Sequence, residues 1–494
     1  MSRLLTTIMI MLTLGCATSD AFAFVYVAPL PKEEQPSALW QIEVDGKRVD
    51  AYAARTADPP FKKYDYGGEY AFLQIDADRE FSVKLRPNVD VDELTVRPLS
   101  YGIKARRNDD GDFEITVPFS IRPRQISVET NGREHPLLLF VNLPDPSAPS
   151  PKDADVDLLY FGKGVHRPQG GVITLGDNQS LYLAPGAVVH AGIRARGKNI
   201  KIYGRGVLDS SSWKWREGPT PHVVSIDHCQ NVTINGVVIR GASHWTIVPV
   251  ASENVTVDNV KICGGRVQND DGINPCNTRH MRVSDSFVRT DDDCMAFKGL
   301  DNSFGDCEDI TVERCVFWCD RARIVLMGHE SRADYMRNIV FNEIDVIHAQ
   351  TRNFLLEPGE RMRLENVSFN NIRFETGAEN ALSPEALEKM KDIDTKSLRF
   401  DIDVANKDNW LFVGRPAVNQ YMKTQEPGYM KNIAVRNISV VGPLSYCGIL
   451  FSGADEEHRP QGLTIENVTL FGEKVDEKSP IIHIGDFIDD VTVQ

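Results

Sequence analysis

A chain of 494 residues with a formal net charge of −15 is long enough for two domains and a large buried core. The charge excludes the broad basic face of a nucleic-acid binder, yet it permits a local basic cleft for an anionic glycan. Hydrophobic residues make up 41% of the chain, as in an ordinary globular protein.

Arg3 precedes the apolar run from Leu4 to Leu14, which is too short to span a bilayer. Ala21-Phe22-Ala23 then offers a small-residue cleavage site. Residues 1–23 therefore read as a signal peptide, which predicts a secreted or periplasmic protein. Leu14-Gly15-Cys16 offers a rival reading, lipid anchoring through Cys16. No integral membrane span follows.

Residues 24–142 carry short alternating runs such as Trp40-Gln41-Ile42-Glu43-Val44 and Phe81-Ser82-Val83-Lys84-Leu85. Gly, Pro and Asp turns separate them, a pattern that predicts an antiparallel β-sandwich. The proline-rich stretch from Leu143 to Pro151 marks a linker over 143–156.

From 157 to 494 a short phrase recurs: Asn or a similar residue, apolar, polar, apolar. It stands at Asn199, Asn231, Asn254, His280, Asp309, Asn338 and Asn366, then at Asn432, Gly462 and Asp490. Apart from one gap, the starts fall 23 to 32 residues apart. Each phrase alternates as a half-buried strand does, and no helical period lies between phrases. Units that cannot bury an apolar face alone must stack on their neighbours. The prediction is an all-β chain: a right-handed parallel β-helix, one coil per repeat, preceded by the sandwich. The gap marks an insertion at 375–431, where Ser383-Pro384 is a helix start. It could wall the cleft or be a plain surface loop.

Triplets N-x-S/T begin at Asn178, Asn231, Asn254, Asn366, Asn437 and Asn467. Their place at the repeating turns favours coil-to-coil stacking over glycosylation. Beyond Cys16 there are eight cysteines, six of them between Cys263 and Cys319. Export permits disulfides, and stacked buried thiols are the alternative. Cys315 and Cys319 lack a second ligand pair at zinc spacing, which argues against a zinc site, and the hydrolysis read below requires no metal or other cofactor.

Asp271 is followed 21 residues later by Asp292, with Asp293 beside it. The repeat places these carboxylates on adjacent coils. The apolar run Cys294-Met295-Ala296-Phe297 puts them at the mouth of a buried strand. Paired carboxylates are the working groups of glycoside hydrolysis. A solvated turn and a calcium site are the competing readings.

Asn269-Asp270-Asp271 with Asp292-Asp293-Cys294 resembles the N-T-D and D-D-C signatures of the polygalacturonases, glycoside hydrolase family 28, with Asp270 in place of Thr. The stretch from Cys315 to His348, with Met327-Gly328 and Asp345-Val346-Ile347-His348, is more similar to the dextranases and isopullulanases of glycoside hydrolase family 49. That family also carries a sandwich before its β-helix. The resemblance implies an inverting O-glycosyl hydrolase. It implies Asp292 as general acid, and Asp271 and Asp293 as the groups that hold and deprotonate water.

The polygalacturonase Gly-His-Gly and Arg-Ile-Lys motifs have no clear counterpart here. A galacturonan is therefore one substrate among several: another uronate, a sulfated glycan or an α-glucan. Asn269, Lys298, Arg321, Arg323 and His329 are the candidate substrate-binding residues. Arg332 is a further basic candidate, and Trp245 and Trp318 could stack on sugar rings. Local acids such as Asp320 and Glu330 could instead pair with the cations. A polysaccharide lyase and a non-catalytic glycan-binding β-helix are the other classes left open.

Overall fold

The computed structural model describes residues 24–57, 68–130, 132–349, 352–390 and 409–494. The expected signal peptide, with Cys16, and residues 391–408 of the expected insertion lie outside the described residues.

Between Val25 and Asn142 the chain forms two facing sheets. Alternation in Trp40–Val44 turns Trp40, Ile42 and Val44 inward. There they join Val83, Leu85 and Ile115 against Leu73, Ile75, Ile126 and Leu139 of the other sheet. One pairing departs from the antiparallel expectation. Leu137–Asn142 runs parallel to Glu69–Ala77, with Leu139 opposite Leu73. The long stretch of chain between these two strands allows the crossover that a parallel pair needs.

From Leu158 onward the chain is a right-handed parallel β-helix. The repeat phrases stack in register: Ile200, Val232, Val255, Met281, Ile310, Ile339 and Val367 follow one another from coil to coil. Ile433, Leu463 and Val491 continue the column. A second face begins with Val172–Leu175, Gly192–Ala195, Val224–Asp227 and Ile247–Val250. Its regular strands lapse around 264–278. Isolated bridges, Ile247–Ile273, Val250–Cys276, Ile273–Met295 and Cys276–Lys298, carry it on to Met295–Leu300, Val325–Arg332 and Arg352–Glu357.

The excursion from the coils is shorter than 375–431. Asn409–Gly414 already pairs with Arg352–Glu357 as a coil strand. It belongs to the second face, where the asparagine phrase is not used, so the phrase could not reveal it. Within the excursion a helix spans Pro384–Met390, and Ser383 Oγ accepts from the Ala386 N–H at 3.2 Å.

The turn asparagines form ladders. Asn254 Nδ2 donates to Asn231, Asn231 to Asn199, and Asn199 to Asn178. Asn432, Asn366 and Asn338 form a second run ending on Asp309. Each of these residues has a left-handed φ, which Asn tolerates better than most. Asn366→Ala loses two side-chain bonds and strains the backbone. It should cost about 1–3 kcal/mol in urea unfolding, and Asn366→Gly should cost less. Equal losses for the two would show that φ is not the determinant.

All eight cysteines from Cys229 to Cys447 are buried free thiols. The interior is otherwise aliphatic, with a phenylalanine stack near its C-terminal half: Phe354 lies 5.0 Å from both Phe369 and Phe412.

The sandwich packs on the β-helix through Tyr70, Phe72, Leu138 and Phe140, against Val238, Cys263, Phe287 and Trp318. A buried ion cluster flanks this patch. Arg97 donates to Glu129 at 3.1 Å and to Glu375 at 2.5 Å, and His348 Nε2 lies 3.0 Å from Glu129. Burial pushes Glu375 up to about 7, with Arg97 offsetting only part of the effect. A carboxyl raised above its unfolded value of 4.5 stabilises the fold while protonated. That contribution fades as pH rises through about 7. Glu375→Gln should therefore remove a stability loss of about 3 kcal/mol between pH 4.5 and 7. Chemical denaturation at stepped pH checks this, and an unchanged slope would refute it.

Candidate active site

The lapse in the second face holds the carboxylates. The Gly272 N–H donates to Asp293 O and the Cys294 N–H to Arg323 O, both at 2.9 Å. Asp271, Asp293 and Arg323 thus stand one above another on successive coils. Asp292 lies beside Asp293 and accepts the N–H groups of Asn269 and Asp293, each at 3.1 Å.

Asp270 is fully buried and turns away from this group. It accepts the N–H groups of Gly265, Asp291 and Asp292 at 2.7, 2.8 and 3.0 Å. Burial nevertheless lifts it to about 6. Its place in the sequence suggests a substituted motif position; its bonds show a carboxylate that ties two coils together.

The three cleft aspartates differ in their electrostatics. Burial, followed by the Asp292 charge, pushes Asp271 well above the ordinary carboxylate range, although Asn274 Nδ2 donates to it at 2.8 Å. Burial also raises Asp293, against the pull of Arg323. Asp292 is lowered: burial opposes its ionisation, but Arg321 and Arg323 outweigh burial. The environment therefore pushes the three in opposite directions, Asp271 and Asp293 up and Asp292 down.

These groups open into a cleft of about 620 Å³. Asn269, Asp271, Asp292, Asp293, Lys298, Arg323 and His329 all line it. Asn269 accepts from Trp215 Nε1 at 3.3 Å. Arg321 is not among the lining residues. Its guanidinium lies behind them, 2.7 Å from Asp291 and 3.0 Å from Asp292. It is a partner of these two carboxylates.

The other cations are paired as well: Lys298 with Glu330 at 2.9 Å, Arg323 with Asp293 at 3.4 Å, and Arg332 with Glu360 at 3.3 Å. His329 Nε2 lies 3.0 Å from Glu357, which also receives Arg415 at 3.0 Å. Burial works against the Glu357 charge, yet His329 and Arg415 bring it down to about 2.

Trp245 lines the cleft under the Lys298 ammonium, 4.7 Å from the ring centre. It stacks on His222 and His244. Trp318 does not reach the cleft. It is fully buried at the sandwich interface, beneath the Arg289 guanidinium at 4.0 Å.

Glu357, Arg415 and Tyr421 also line the cleft, and none is apparent from the motifs. Glu357 sits one coil beyond Gly328, and the Arg415 N–H bonds to Leu356 O. Extending the coil register past Met327-Gly328 would have reached both. Tyr421, stacked 5.3 Å from His329, follows the excursion and has no periodic signal.

Residues 188–317 match the family model described as glycosyl hydrolases family 28. A probable exopolygalacturonase B of Aspergillus terreus is 25% identical over 206 residues, covering 36% of this chain and 46% of its own. Polygalacturonase-2 of Solanum lycopersicum is 20% identical, covering 56% of each chain. The chain thus spans about half the length of these two relatives. Dex49A from Penicillium minioluteum superposes with a TM-score of 0.59 at 15% identity, over 92% of both chains. The chain is similar in sequence to polygalacturonases over part of its length and shares its β-helix fold with Dex49A. The matched segment, 188–317, contains Asp271, Asp292 and Asp293 and ends before Glu357 and Arg415. The family match thus covers the carboxylates, while most of the residues lining the cleft lie outside it.

Proposed function

We propose that this protein is an O-glycosyl hydrolase that cuts an oligo- or polysaccharide in the cleft, with Asp271, Asp292 and Asp293 as its catalytic carboxylates. One observation carries the reading. Three buried carboxylates on adjacent coils face an open cleft, and burial together with neighbouring like charges pushes two of them, Asp271 and Asp293, above the ordinary range. A fold gains nothing from that arrangement, whereas acid–base hydrolysis needs it. The family match over these residues supports the same chemistry.

Inversion is the proposed stereochemical course, with a water between sugar and base. The trio titrates as a unit, so its proton belongs to the cluster. The resemblance gives the acid role to Asp292, whereas Arg321 and Arg323 lower it in the free site; as the acid it takes its proton from the cluster once glycan is bound. Elimination fits less well, because a lyase base must lose its proton. Glu330, Asp271 and Asp293 overcome the effect of burial and push the Lys298 ammonium up.

Neutral, uronic and sulfated polysaccharides should be assayed by reducing-end release, with NMR of the first anomer formed. Net release with inversion is expected, and retention would overturn the stereochemistry. UV-absorbing unsaturated ends would point to a lyase, and binding without products to a glycan-binding protein. The signal-like N-terminus and the polymeric substrate together support secretion.

A further inference from the structure

The sandwich touches the turns that lead into the cleft. Tyr70, fully buried in the strand Glu69–Ala77, donates its hydroxyl to Gly264 O at 2.9 Å. The Ala57 N–H donates to Gly265 O at 2.9 Å. Gly265 in turn bonds Asp270, whose other oxygen holds the N–H groups of Asp291 and Asp292.

One coil on, Arg133 places its guanidinium against the next turn. Nη1 donates to Cys319 O and Asp320 O, each at 3.2 Å, and Nη2 to Ala349 O at 2.7 Å. The Cys319–Asp320 turn leads directly to Arg321 and Arg323, the partners of Asp292 and Asp293.

The two turns are tied together beneath these contacts. Arg289 Nε donates to Asp320 at 3.0 Å, with its guanidinium 4.4 Å from the Tyr70 ring centre. Gly265 has a φ of +89°, and a Cβ there would lie 2.7 Å from Asp320 Oδ2. Both the backbone conformation and the lack of space require glycine.

We propose that the sandwich is part of the catalytic apparatus, with Tyr70 and Arg133 as positioning residues that fix the turns aiming Asp292, Asp293, Arg321 and Arg323. The proposal rests on the cleft being the site of hydrolysis. Neither residue touches the cleft, so each acts through backbone carbonyls. A small shift in those turns changes the Arg-to-Asp distances on which proton placement depends.

Tyr70→Phe keeps the ring and removes one hydrogen bond. It should lower kcat about fivefold with KM nearly unchanged, and should shift the pH–rate profile. Arg133→Ala should lower kcat further, with Arg133→Lys intermediate. A second readout needs no substrate: the pH midpoint for carbodiimide labelling of Asp271 and Asp293, followed by peptide mass spectrometry. Midpoints displaced in Tyr70→Phe support the proposal. Unchanged midpoints and pH profile overturn it, even where stability falls, because a purely structural contact would leave proton placement alone. If Arg133→Ala does not fold, Tyr70→Phe decides. A wild type inactive on every glycan would refute the hydrolase reading, while the labelling would still test the brace.

Discussion

Asp292→Asn should fold normally and lose roughly a thousandfold or more of its turnover on a natural glycan. Folding should survive because Asn keeps the size of the side chain and one oxygen, which can still accept the Asn269 N–H, so that only the Asp293 N–H bond is lost. Arg321 retains Asp291, 2.7 Å away. Turnover should fall because no other carboxyl of the trio occupies its place. An aryl glycoside of the same sugar, with an acidic phenol as leaving group, separates the roles. Such a leaving group departs without a proton. If Asp292 is the acid, Asp292→Asn should stay within about tenfold of wild type on this substrate. Asp271→Asn and Asp293→Asn should stay nearly inactive on both substrates, since activation of water is still required. Loss of Asp292→Asn activity on both substrates would move Asp292 to the base. Near-wild-type turnover on the natural glycan would end the assignment altogether.

How much of this site can be read in the chain depends on what repeats. The β-helix is legible because Val232, Val255, Met281 and their successors recur at coil spacing, and a period is a direct record of stacking. The same period brings Asp271 and Asp293 together before any coordinates are known. Charge pairing is not periodic. Arg321 looks like a glycan contact in the sequence, because an acidic chain with a basic cluster suggests an anionic ligand. In the structure it faces Asp291 and Asp292 from behind. Trp318 is misleading for a related reason: it lies one coil from the aspartates, but strand alternation and the sandwich enclose it. Asn409–Gly414 is missed because its face of the coil needs no turn asparagine. The sandwich contacts of Tyr70 and Arg133 join residues nearly two hundred positions apart, which no local pattern encodes.

The Arg321 guanidinium gives the sharpest test of proton placement. Its Nε and Nη2 hold Asp291 and Asp292 at 2.7 and 3.0 Å, all three side chains being buried. Arg321→Met keeps most of the volume and leaves two buried carboxylates without their cation. Thermodynamic stability should fall by about 3–5 kcal/mol near neutral pH. Part of that loss should return in acid, where both carboxyls take up protons. The sign follows from the shift: Asp292 is held below its ordinary value, so its stabilisation is present above the unfolded pKa and disappears as pH falls through the folded one. Without Arg321 the Asp292 pKa rises. If Asp292 must be protonated to act, the variant stays active to higher pH and the alkaline limb of kcat moves up by about one unit or more. If Asp292 must be ionised, the acid limb moves up instead. Limbs that both stay in place while stability drops would mean that Arg321 only holds the turn, and that Asp292 draws its charge from Arg323 alone.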